Sequence, residues 1–116
     1  MDRQKIFDQI AKEYSVRWAH SKGLNVDFED FMLDPYHYPY IGVLLMDDKI
    51  LLTDFADTAQ LIDLSPEEYK RICEKHGLTW DDYYIECEYH SNDDIRRYKE
   101  CLMEIADINW KKHNYK

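Results

Sequence analysis

Residues 40 to 55 read YIGVLLM, then Asp47-Asp48, then KILLTDF, two apolar runs separated by a pair of turn-forming acids. β-Branched residues and leucines on both sides of such a pair predict two antiparallel strands closed by a tight turn. Ile41, Val43 and Leu45 fall on one face of the first strand, and Leu44 and Met46 on the other. Strands that are apolar on both faces need cover on both. The hairpin is therefore expected at the centre of a sheet, under helices or against a partner subunit, which makes a homodimer one expected way to cover it.

Around the hairpin the periodicity changes. Ile6, Phe7, Ile10, Ala11, Tyr14 and Trp18 recur at helical steps, so a helix is expected over residues 3 to 18, capped by Asp2 and stopped by Gly23. Residues 24 to 40 show no sustained period, and Pro35 and Pro39 argue for irregular backbone with at most one helical turn between Asp27 and Leu33. Residues 56 to 63 suit a short helix. SPEEYKRICEKHG predicts a second one, with Ser65 as cap, Pro66 at the first position, Glu68 at the capping-box position and Gly77 as terminator. Tyr83, Ile85, Cys87 and Tyr89 alternate like a strand with one wet face. From Ser91 the series Ile95, Tyr98, Leu102, Ile105, Ala106 and Asn109 is helical again. The resulting order, αββααβα, describes an α+β domain with a small antiparallel sheet, in which a central hairpin and a third strand pack with helices.

A chain of 116 residues is the size of one domain, residues 1 to 116, and 45% hydrophobic with 15% aromatic residues is a globular composition rather than that of a disordered acidic tail. No stretch reaches the ~20 apolar residues that span a bilayer, and the charged, amphipathic start does not resemble a secretory signal. With Cys73, Cys87 and Cys101 forming no tight disulfide framework, the expected compartment is the cytoplasm. The net charge of −9 is unevenly placed: residues 24 to 68 hold eleven acids against Lys49 alone, while the segments on either side nearly balance. Such a field repels nucleic acid and anionic membranes and attracts basic surfaces.

The hairpin ending in LLTDFADT, the short helix after it, the run SPEEYKRICEKHGLTWDDYYIECEY and the final helix ending in IADINW resemble a small bacterial and phage domain family of unknown function. Its marks are a hairpin ending in Leu-Thr-Asp-x-Gly, a helix running into a Gly-hydrophobic turn, and a C-terminal helix with an Ala-x-x-hydrophobic-x-Asp pattern. The resemblance covers residues 36 to 110. It implies the α+β fold and a phage or mobile-element setting, and it assigns no catalytic residues. Where the family has glycine this chain has Ala56, which disfavours a left-handed turn by ~1 kcal/mol or more. Ala56 is therefore expected to begin the helix, with Asp54 as its N-cap, accepting from the amide of Ala56 or Asp57.

No motif identifies a reaction, and no cofactor is implied. Cys73, His76, Cys87 and His90 have the spacing of a Cys2His2 zinc site, but residues 87 and 90 of a regular strand point to opposite faces. Two buried thiols, with His76 near a helix C-terminus, is the simpler account. Asp54, Asp57, Glu86 and Glu88 at neighbouring strand ends would suit a metal-dependent hydrolase or nuclease, although a lysine companion is missing and the charge would repel a phosphate backbone. Acids and tyrosines mix instead in DFEDFMLDPYHYPY. Asp27, Glu29, Asp30, Asp34, Tyr36, Tyr38 and Tyr40, with Asp47 and Asp48 at the hairpin turn, form the expected contact surface for a basic protein, such as the nucleic-acid groove of a host defence nuclease. A solvated acidic loop is the plainer alternative. On the first reading the protein is a non-enzymatic inhibitor acting by nucleic-acid mimicry, an anti-CRISPR protein being one form. Charge reversal at Asp27, Glu29, Asp30 and Asp34 is then expected to abolish binding and leave the fold intact.

Overall fold

In the computed structural model, which describes residues 2–18 and 23–114, the order along the chain is α1 (Arg3–Glu13), β1 (Ser15–Trp18), β2 (Leu24–Asp27), β3 (Tyr40–Met46), β4 (Lys49–Thr53), α2 (Asp57–Leu61), α3 (Pro66–Lys75), β5 (Thr79–Asp81), β6 (Tyr84–Glu88) and α4 (Asn92–His113). The expected α+β architecture is present. The hairpin is central: the described strands form one antiparallel sheet in the order β1-β2-β3-β4-β6-β5.

Register decides which residues share a face. Val26 lies opposite Ile41, Leu24 opposite Val43, Val43 opposite Leu52, and Leu52 opposite Cys87, so one face of the sheet is a continuous apolar surface. It joins Phe7 and Ile10 of α1, Tyr69, Ile72 and Cys73 of α3, and Ile95, Tyr98, Leu102 and Ile105 of α4 in a single core. The other hairpin face is only partly covered. Leu44 and Leu51 lie there half-buried, Met46 is exposed, and the ring of Phe55 folds back over Gly42.

The caps expected at Asp2, Ser65 and Ser91 hold, whereas Asp54 is not the N-cap of α2, where Ala56 takes that position. Ser65 accepts from the Glu68 amide, Pro66 opens α3, and Gly77 ends it at φ 77°. Ser91 and Asp94 form a capping box at the start of α4. Three strands escaped the periodic reading. The expected helix over 3 to 18 stops at Glu13, because Ser15–Trp18 pairs with Leu24–Asp27 as an edge strand. Residues 19 to 22, the rest of the stretch that Gly23 was expected to stop, lie outside the described residues. Leu24–Asp27 is a strand where irregular backbone was expected, and Thr79–Asp81 adds a short outer strand. Each is three or four residues long, too short for an alternating pattern to stand out.

Ala56 does not take the expected helical start. It adopts a left-handed conformation of the kind that favours glycine, φ 63°, and Phe55 before it has φ 56°. A Cβ on Gly42 would come within 2.3 Å of the Phe55 ring, so the glycine in β3 and the strained turn after β4 require one another. Two substitutions test this arrangement by chemical denaturation: Ala56→Gly is expected to raise stability by about 1 kcal/mol, and Gly42→Ala to lower it by about 1 to 3 kcal/mol. Opposite signs would show that the turn is not built this way.

Candidate functional site

Residues 28 to 39, between two neighbouring strands, have a defined shape despite their irregular backbone. The Phe28 amide donates to the Pro39 carbonyl at the mouth of the loop. Asp34 and Pro35 occupy the first two positions of a tight turn, with the Asp34 carboxylate accepting from the Tyr36 amide at 2.8 Å and facing His37 Nδ1 at 2.8 Å. Burial alone would push Asp34 up, but the Tyr36 amide and His37 outweigh it and hold its carboxyl below the usual aspartate range. From the other side α4 grips the loop: Asn109 Nδ2 donates to the Leu33 carbonyl at 3.0 Å and Trp110 Nε1 to that of Met32 at 2.8 Å. This explains the polar Asn109 on the buried face of the helix.

The acids assigned to a contact surface are mostly engaged internally. Asp27 receives a two-pronged bond from Arg17, at 2.6 and 2.8 Å, and the Arg17 guanidinium lies 5.3 Å from the centre of the Tyr40 ring. Asp30 holds Lys99 at 2.6 Å, and Glu29 accepts from the Ser15 hydroxyl. Charge reversal at Asp27, Asp30 and Asp34 would therefore break contacts within the molecule as well as alter the surface charge. Tyr36 and Tyr38 are exposed, whereas Tyr40 is half-buried and donates to Asp57. Asp47 and Asp48 close the hairpin at the far end of β3, roughly 20 Å from Tyr40 at ~3.3 Å per strand residue. They form no common surface with the rest.

Two clefts meet at Tyr38 and Pro39. One, of about 250 Å³, lies between the loop and α2 and is lined by Leu33, His37, Tyr40, Asp57, Thr58, Gln60 and Leu61 in addition to that pair. The other is bordered by Asp27 and Glu29. Among the described residues, neither cleft is lined by a lysine or an arginine. Tyr40 Oη donates to Asp57 Oδ2 at 2.8 Å, which fixes the Asp57 carboxylate at the wall of the cleft beside α2. The sequence offers Asp57 as a candidate metal ligand and as an amide donor to Asp54, not as a partner of Tyr40. The link to Tyr40 spans 17 positions, and no local pattern signals it.

Asp54 has a different place. It is buried, and its carboxylate accepts from the amides of Ala56 at 3.0 Å, Thr58 at 3.3 Å and Ile85 at 3.2 Å. The expected bond from the Ala56 amide is present, but Ala56 and not Asp54 is the N-cap of α2, and the bond from Ile85 ties the same carboxylate across the sheet to β6. Burial pushes the carboxyl above the usual aspartate range despite these donors. Glu86 and Glu88 stand on the open face of β6, opposite Thr53 and Leu51 of β4, so they do not converge with the interior Asp54. Among the described residues no three His, Cys, Asp or Glu side chains gather to hold a metal ion. The residues with zinc-like spacing are dispersed: His76 faces Glu104 at 2.9 Å, His90 faces Glu88, and Cys73 lies against Cys101 in the core. Burial pushes the Cys87 thiol up to about 12, far from a reactive thiolate.

Searches of family models, curated proteins and solved structures return no match to the chain. Its function is accordingly read from its own geometry. Because Asp54 serves three amides, Asp54→Ala should lower stability by more than about 2 kcal/mol, above the ~1 kcal/mol of a simple cap. A urea titration showing a loss well below 1 kcal/mol would contradict the bonding described.

Proposed function

We propose that this chain is a non-enzymatic binding protein whose partner is a basic protein surface held at the clefts that flank Tyr38 and Pro39. One observation carries the reading: carboxylates border both clefts, Glu29 and Asp27 on one side and Asp57 on the other, with an aromatic ridge between them and, among the described residues, no lysine or arginine lining either. Asp27 is already matched by Arg17, so Glu29 and Asp57 supply the attraction. Tyr38 offers a rigid, amphipathic ring at small entropic cost.

The mechanism is occupancy. Carboxylates and rings take arginine and lysine side chains that would otherwise hold phosphates, and nucleic acid is kept out. The net charge of −9 supports a partner that handles nucleic acid. The resemblance to a phage domain family supports an anti-defence inhibitor, of which an anti-CRISPR protein is one kind. Three free cysteines support the reducing cytoplasm of a host cell as the place of action. Among the described residues no helix is long and apolar enough to cross a membrane.

Fluorescence anisotropy with labelled arginine-rich and lysine-rich peptides, an acidic peptide and duplex DNA tests the reading. The basic peptides should bind, the acidic peptide and DNA should not, and affinity should fall as ionic strength rises from low to physiological. Glu29→Lys should weaken binding, and Asp47→Lys with Asp48→Lys should leave it nearly unchanged. Binding that ignores salt, or that depends on the hairpin tip instead, would contradict the assignment.

A further inference from the structure

We infer that the cleft between the loop and α2 is a seat for one arginine side chain of the partner, with Asp57 as its anchoring carboxylate and Tyr40 as the residue that orients it. The inference rests on the reading above and goes further by naming the side chain recognised. Four observations carry it. The cleft volume is about 250 Å³, room for a single side chain rather than a folded element. Its walls are largely apolar or aromatic, from Leu33, Tyr38, Pro39, Tyr40 and Leu61. Asp57 Oδ2 is fixed by the Tyr40 hydroxyl at 2.8 Å, so the carboxylate is held in place before a ligand arrives. The imidazole in the wall, His37, is tied to the Asp34 carboxylate at 2.8 Å, which offsets the positive charge it would bring on protonation.

The choice of arginine over lysine follows from the walls. A guanidinium is planar, weakly hydrated and able to stack on rings while forking onto a carboxylate, whereas an ammonium is compact and strongly hydrated. The protein already contains the arrangement once. Arg17 forks onto Asp27 at 2.6 and 2.8 Å with its guanidinium 5.3 Å from the Tyr40 ring centre. In the cleft, Asp57 and Tyr38 offer a second carboxylate and a second ring beside that same Tyr40. The side chain that would complete this set comes from the partner.

The test is calorimetry with an arginine-rich and a lysine-rich peptide of equal length and charge, paired with amide NMR spectra of the protein. The arginine peptide should bind at least about tenfold tighter and shift the amide signals of Tyr38, Asp57 and Gln60. Asp57→Asn, which keeps an acceptor for Tyr40, should remove that advantage, with signals remote from the cleft unchanged. If that variant fails to fold, Tyr38→Ala at the exposed rim takes its place, and the arginine advantage must shrink for the inference to stand. Equal affinity for the two peptides overturns the assignment of arginine. Unaltered binding by Asp57→Asn, with binding lost in Glu29→Lys, overturns the seat and leaves the basic-partner reading intact. Binding of neither peptide overturns both.

Discussion

The Asp54 carboxylate, buried under three backbone amides, joins the end of β4, the start of α2 and the middle of β6. A charge in that position is unfavourable unless its donors are fixed, and here they are fixed by the sheet and by a helical turn. The chain must turn sharply after Thr53 to bring the amides of Ala56 and Thr58 onto one carboxylate. That turn places Phe55 and Ala56 in left-handed conformations, lays the Phe55 ring on Gly42, and sets Asp57 beside Tyr40. Two interior tyrosines brace the same region: Tyr69 donates to the Ile62 carbonyl after α2, and Tyr98 to the Ile85 carbonyl of β6. The cleft wall at α2 is therefore a consequence of one buried acid.

The same logic changes the meaning of the acidic segment. Eleven acids against one lysine suggest an open negative surface when counted along the chain. In the fold, Asp27, Asp30, Asp34, Asp54 and Asp57 each have a donor within the molecule. Exposed pairs such as Asp30 with Lys99 add little stability, but they lower the charge that a partner meets. On the proposed function, recognition would depend less on an array of carboxylates than on a few placed beside aromatic walls. That favours individual side chains seated in clefts over imitation of a regular phosphate backbone.

Elements with their own punctuation were legible in the sequence. The Ser65, Pro66, Glu68 and Gly77 signals bounded α3, the buried stripe of α4 was read from Ile95 to Asn109, and the acidic pair at 47 and 48 closes the hairpin. What escaped was decided by tertiary pairing. Tyr14 and Trp18 continue the helical spacing of α1, yet Val16 pairs with Val26 and Trp18 sits on an edge strand with its ring against Phe7. Within the candidate site, the tyrosines at 38 and 40 were legible as contact residues. The bond from Tyr40 to Asp57 and the grip of Asn109 and Trp110 on the loop were not, because they connect residues 17 to 78 positions apart.

The central claim is that the carboxylates divide into those that hold the fold and those left for a partner, with Asp54 at the extreme of the first group. An NMR titration of the side-chain carboxyl signals tests it directly. Burial should make Asp54 titrate above the usual aspartate range, so its ionised form opposes folding and its contribution to stability falls as pH rises through that pKa. Lys99 should hold Asp30 low, and Asp94 should also titrate low because Arg97 and the amides of His90 and Ser91 outweigh the effect of burial. Those two contribute stability that is present above the ordinary aspartate pKa and lost as pH falls through their lowered values. An Asp54 signal that titrates at or below the ordinary aspartate value, alongside unshifted Asp30 and Asp94, would contradict the account.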